Sequence, residues 1–129
     1  MSGPPSLHHV AIGARDVEAL ASFYCHLLET AEQRRHLDDA GALRSVWLEL
    51  SGTLLMIERA EPGASRARVE GVGLGAFLLA FRADAAARRA FEERAERLGA
   101  AVESRSAYTS YLRDPDGNRI AVSEYEANA

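Results

Sequence analysis

The chain has 129 residues, 47% of them hydrophobic and 26% charged, with a net charge of −4. That is long enough for one domain with its own core, and the weakly acidic balance without a basic block excludes nucleic acid as a partner, because phosphate neutralisation needs concentrated positive charge. All 15 positive residues are arginine, which excludes a lysine Schiff base, a lysine general base and a lysine phosphate clamp.

Residues 1–6, Met1-Ser2-Gly3-Pro4-Pro5-Ser6, read as a flexible leader with no secretory pattern. His8 to Ala14 alternates as a strand, with Val10, Ile12 and Ala14 on one face and His9, Ala11 and Gly13 on the other. Asp16 is a good N-cap, and Val17, Leu20, Ala21, Tyr24, Leu27 and Leu28 form an apolar stripe, so a helix is expected over 17–29. Glu32 to Leu37 reads as a short strand, Asp38-Asp39-Ala40-Gly41 as a turn, and Leu43 to Leu50 and Leu54 to Arg59 as two further strands.

Ala60 to Gly75 holds Pro62 and four glycines among charged residues and reads as a linker. The same order then starts again. Ala76 to Arg82 is an apolar strand, Asp84 caps a helix that stops at Gly99, and Ala101–Arg105, Tyr108–Arg113 and Arg119–Tyr125 are three more strands. Between the last two lies Asp114-Pro115-Asp116-Gly117-Asn118, a tight turn in which Pro115 pre-sets φ and Gly117 takes the strained position. The longest apolar run, Val72 to Phe81, is interrupted by glycines and is too short to span a bilayer. One cysteine, Cys25, allows no intrachain disulfide and suits a reducing, cytoplasmic setting.

Two βαβββ units, with Leu7-His8-His9-Val10 at the start, Ala19-Leu20-Ala21-Ser22-Phe23-Tyr24 in the first helix and Leu112-Arg113-Asp114-Pro115-Asp116-Gly117-Asn118-Arg119-Ile120 near the end, resemble the vicinal oxygen chelate superfamily. That group includes glyoxalase I, bleomycin-resistance proteins, fosfomycin-resistance enzymes and extradiol dioxygenases. The resemblance implies an α+β fold: a single domain whose first unit (7–59) and second unit (76–126), joined by the linker 60–75, form a cupped mixed sheet. In its metal-dependent members a divalent cation is held by ligands from the first and last strand of each unit. Those positions fall here on His9, Met56, Ala76 and Ala121, so one of the four keeps a ligating side chain.

The cupped face is expected to carry His9, Ala11, Gly13, Trp47, Glu49, Met56, Glu58, Leu78, Ala80, Arg82, Ala121, Ser123 and Tyr125, with Tyr111 or Tyr108 as a further wall. The candidate ligand-binding residues are His9, Trp47, Glu49, Met56, Arg82, Tyr111, Ser123 and Tyr125. The bland reading is that Trp47 and Met56 only fill a core. His9 and Glu58 are the candidate catalytic pair, and they are also the ligands if a metal is present. The reading is thus a superfamily member that binds a small organic molecule without the usual metal site and needs no cofactor, acting as a homodimer. The alternative is a divalent-metal-dependent lyase, isomerase or dioxygenase that pairs His9 with a relocated carboxylate. A third reading is a structural or regulatory domain that kept the fold and lost the site.

Overall fold

The computed structural model describes residues 3–65 and 70–126. Residues 1–2 of the leader, 66–69 of the linker and 127–129 of the tail lie outside them. The chain divides into two compact units, Met1–Ala64 and Ser65–Ala129.

The first unit runs β1 (His9–Ala14), α1 (Val17–Leu28), β2 (Glu32–Leu37), β3 (Leu43–Leu50), β4 (Thr53–Arg59). Its sheet has the order β1-β4-β3-β2, with β1 and β4 parallel and the other pairs antiparallel. The Asp16 carboxylate accepts from the Ala19 amide at 3.0 Å and starts α1. The helix ends one residue before the expected stop, where Glu29 turns left-handed with φ 52°. Its apolar stripe (Val17, Leu20, Tyr24 and Leu27) is buried, and α1 packs on β3 and β4, whose Val46, Leu48, Leu55 and Ile57 are buried as well. Each such side chain contributes about 1.5–3 kcal/mol on leaving water. The other face of the same sheet turns away from α1.

The second unit repeats the order: β5 (Leu79–Arg82), α2 (Ala85–Arg97), β6 (Ser104–Arg105), β7 (Thr109–Arg113), β8 (Arg119–Ser123). The sheet order is β5-β8-β7-β6, again with the first pair parallel. Four expected strands of this unit are shorter than the alternation suggests, β7 by the single residue Tyr108 at its start. β5 begins at Leu79 and not Ala76, β6 keeps only Ser104–Arg105, and β8 ends at Ser123 and not Tyr125. The glycine-spaced residues before Leu79 lie outside the ladder, and beyond Ser123 the pairing among the described residues is reduced to one bond, from the Glu124 amide to the Tyr108 carbonyl at 2.8 Å; apolar character alone does not make a strand.

α2 is anchored differently from α1. Only Phe91 and Ala95 are buried on it, and Phe91 meets Phe81 at 6.4 Å between ring centroids. The rest of the contact is polar. Arg88 Nε donates to Ser110 Oγ at 2.8 Å, Arg88 also donates to the carbonyls of Ala107 and Ser106, and the Ser110 hydroxyl donates to Glu92. The Arg105 guanidinium, foremost, and the Ser110 hydroxyl hold the Glu92 carboxyl below the usual carboxylate range.

The Asp114 turn is as the sequence predicts. Asp114 Oδ1 accepts from the Asp116 and Asn118 amides at 2.9 Å each, Oδ2 accepts from Asn118 Nδ2 at 2.8 Å, and Gly117 takes φ 87°. This fixes the β7–β8 register, with Leu112 opposite Ile120 and Tyr111 opposite Ala121.

Candidate ligand-binding site

The ladder registers sort the first unit's side chains into cross-strand rows. Ala11, Met56, Trp47 and Arg34 form one row, and Gly13, Glu58, Ser45 and His36 form the next. His9, Leu54 and Glu49 form a third, on the other side of the Trp47 row. Because side chains alternate along a strand, all three rows lie on the face away from α1. This is where His9, Trp47, Glu49, Met56 and Glu58 were expected. Arg35, one residue off, lies on the opposite face and pairs with Glu18 of α1 at 3.1 Å.

The environments within these rows differ. His9 is exposed, and its Nδ1 lies 2.8 Å from Nδ1 of His8, one ring donating to the other. Glu49 accepts from Gln33 Nε2 at 3.1 Å. Trp47 is half-buried, with the His36 ring 4.7 Å from it and the Arg34 guanidinium 6.0 Å from its centroid. Glu58 is half-buried and has no hydrogen-bond or ion-pair partner among the described residues. Three atoms on this face are buried without a hydrogen-bond partner among the described residues: His36 Nε2, Ser45 Oγ and Trp47 Nε1. His36 and Ser45 were not among the residues the sequence singled out for the site. Two register shifts in β2, between Glu32 and Arg34 and between His36 and Leu37, hide the facing of His36 from simple alternation, whereas Ser45 on β3 alternates with Trp47 and Glu49 as the sequence reads and was passed over as a small residue.

In the second unit, Ala80, Arg82, Ala121, Ser123, Thr109 and Tyr111 share the face away from α2. Thr109 and Ser123 are joined by a hydrogen bond of 2.9 Å, and the Arg119 guanidinium stacks 4.5 Å from the Tyr111 ring centroid. Tyr125 lies beyond β8, where it is exposed and meets Tyr108 edge-on at 5.4 Å. The first unit thus gathers five of the expected residues on one sheet face. The second gathers Arg82, Tyr111 and Ser123 on another and leaves Tyr125 off its ladder.

The registers place three of the four expected metal positions on or beside the ladders. His9 pairs with Leu54, two residues before Met56. Two residues before Ala121 is Arg119, and extending the Leu79–Ile120 ladder by one pair sets Leu78 opposite it. By that extension Leu78 occupies the place in the second unit that His9 occupies in the first. Ala76 is exposed and lies outside β5. In the first unit these positions offer one imidazole and one thioether, in the second only alkyl groups, and neither set fits a divalent cation, which needs several nitrogen, oxygen or thiolate donors. Among the described residues, no group of three or more His, Cys, Asp or Glu side chains is placed to hold a metal ion. Cys25 is half-buried, and burial first, then the nearby Glu32 carboxylate, push its thiol pKa up, away from nucleophilic use.

Two βαβββ units, each a mixed four-stranded sheet with one helix on a single face, are the architecture of the vicinal oxygen chelate superfamily. Within it, the chain belongs to the family described as the glyoxalase-like domain, whose model matches residues 9–123. Similar solved structures include the genomically encoded fosfomycin resistance protein FosX of Listeria monocytogenes complexed with Mn(II) and sulfate, with a TM-score of 0.75 and 16% identity over 98% of this chain and 96% of that one. A lactoylglutathione lyase from Agrobacterium tumefaciens gives a TM-score of 0.65 and 25% identity over 95% and 96%. A glyoxalase/dioxygenase from Nostoc punctiforme gives 0.74 and 23% over 94% and 92%. Comparison with curated protein sequences finds no match. No helix among the described residues is long and apolar enough to cross a membrane.

Proposed function

We propose that the chain binds a small organic molecule on its helix-free sheet faces, without the divalent cation on which metal-dependent members of its superfamily rely. The observation that carries this reading is Ala121. It is fully buried in β8 between Ala80 and Tyr111, at the closing position where a metal-dependent relative needs a carboxylate, and the turn anchored by Asp114 fixes its register. A methyl group donates no electron pair to a cation. Met56, at another of the four positions, and Ala76 at a third support the same conclusion, since neither offers a nitrogen or oxygen donor. Binding would rest on the indole of Trp47, the flexible thioether of Met56 and the polar groups around them, a lining that suits a compact amphipathic ligand. We take the active form to be a homodimer in the cytoplasm.

Metal dependence tests this. Purified, untagged protein is measured for bound metal, then for melting temperature with zinc, nickel, manganese or ferrous iron. The expected result is substoichiometric metal and shifts of less than about 1 °C. Near-stoichiometric metal, with a metal-specific rise in melting temperature that His9→Ala removes, would overturn the proposal in favour of a metal-dependent enzyme.

A further inference from the structure

We propose that His36, Ser45, Trp47 and Glu58 form a recognition subsite for a hydroxyl group, so that the ligand of the first unit is an alcohol or phenol. This rests on the small-molecule reading above and adds the chemistry of the ligand's polar end.

The argument starts from unmade hydrogen bonds. Ser45 is 1% exposed and its Oγ has no partner among the described residues. Its two neighbours in the same row are His36 on β2, whose Nε2 is also buried and unpartnered, and Glu58 on β4, whose carboxylate is unpaired among the described residues. Adjacent strands are about 4.8 Å apart, so one small group can lie within reach of all three. In the next row Trp47 Nε1 is buried and unpartnered too, and its ring stands 4.7 Å from that of His36. Native proteins satisfy nearly all buried polar groups. Three orphans on one sheet face, beside a free carboxylate, mark a place that another molecule completes.

The donor and acceptor inventory selects that molecule. Trp47 Nε1–H only donates, the Glu58 carboxylate only accepts, and Ser45 and neutral His36 can do either. A carboxylate ligand would meet Glu58 as a like charge. An ammonium ligand would satisfy Glu58 but leave Trp47 Nε1–H without an acceptor. A hydroxyl accepts from Trp47 and donates to Glu58, so it answers both at once. The apolar body attached to it would lie along the row of Trp47, Met56 and Ala11.

Trp47 is the only tryptophan in the chain, so a proton–nitrogen correlation spectrum shows one indole cross-peak, a direct reporter of Nε1–H. The full-length protein is titrated in EDTA with four matched probes: phenethyl alcohol, ethylbenzene, phenethylamine and hydrocinnamate. The expected result is a saturable downfield shift with the alcohol and an affinity roughly tenfold above that for ethylbenzene, with both charged probes weaker than the alcohol. Ser45→Ala and Glu58→Gln should each remove most of that preference. Dispersion of the remaining amide peaks reports folding, and the second variant keeps the test decisive if the first unfolds. Equal binding of alcohol and ethylbenzene in EDTA would sink the subsite while leaving metal-free binding intact. Hydrocinnamate binding best, or no saturable shift with any probe, would sink it as well, the latter pointing to a row closed by fixed water. A preference for the alcohol that appears only with added divalent ion would instead overturn the metal-free reading.

Discussion

Glu58 stands opposite Gly13 on the β1–β4 ladder, four residues along β4 from Leu54, the partner of His9. At about 3.3 Å per residue this is roughly 13 Å along the sheet, whereas imidazole and carboxylate ligands must both approach an ion to about 2 Å. The two residues therefore belong to different parts of the face. His9→Ala and Glu58→Gln should act independently: in a double-mutant cycle their effects on stability should add within about 0.5 kcal/mol, with or without zinc. A larger coupling that appears only with zinc would show that the pair shares an ion.

The Glu92 carboxyl makes stability depend on acid. Its pKa is lowered in the folded chain, chiefly by Arg105 and also by Ser110 and Arg88. Its contribution is therefore present above the unfolded carboxylate pKa of about 4.3 and is lost as pH falls through the folded value. Denaturant melts of the parent protein should lose stability on that descent. Glu92→Gln should be less stable near neutrality, by about 1 kcal/mol, and should lose less on acidification. A variant with the parent's acid limb would remove Glu92 from the account.

Three hydrogen bonds converge on the Asp114 carboxylate within the β7–β8 turn. Asp114→Ala leaves those donors unmatched beside a residue only 4% exposed, and should cost about 1–3 kcal/mol in urea unfolding. Gly117→Ala should cost about 1 kcal/mol for a different reason. The position holds φ 87°, which an alanine resists even though open space surrounds a Cβ there.

Cys25 should react slowly. With its thiol pKa raised by burial and by Glu32, less thiolate is present at a given pH than in the unfolded chain. Modification by Ellman's reagent at mildly alkaline pH should run about tenfold slower in the native protein than in urea. Equal rates would mean that the thiol is as open as in a peptide.

The chain's own residues determined the order of its elements. The apolar stripe from Val17 to Leu27, the capping carboxylates Asp16 and Asp84, and the turn around Gly117 are local features, because helix spacing, cap chemistry and left-handed backbone act within a few residues. Even the face that carries His9, Trp47, Glu49, Met56 and Glu58 was legible, since strand alternation needs no partner to declare itself. Where a strand stops depends on whether a neighbouring backbone is there to pair with it, which is why Ala76 and Tyr125 fall outside β5 and β8. Which residues stand opposite one another was decided only by the tertiary structure. The bulges in β2 brought His36 against Ser45, and the β5 ladder set Ala80 against Ala121. Register between strands is a long-range property, set by pairing across the sheet and by irregularities that shift it a residue at a time.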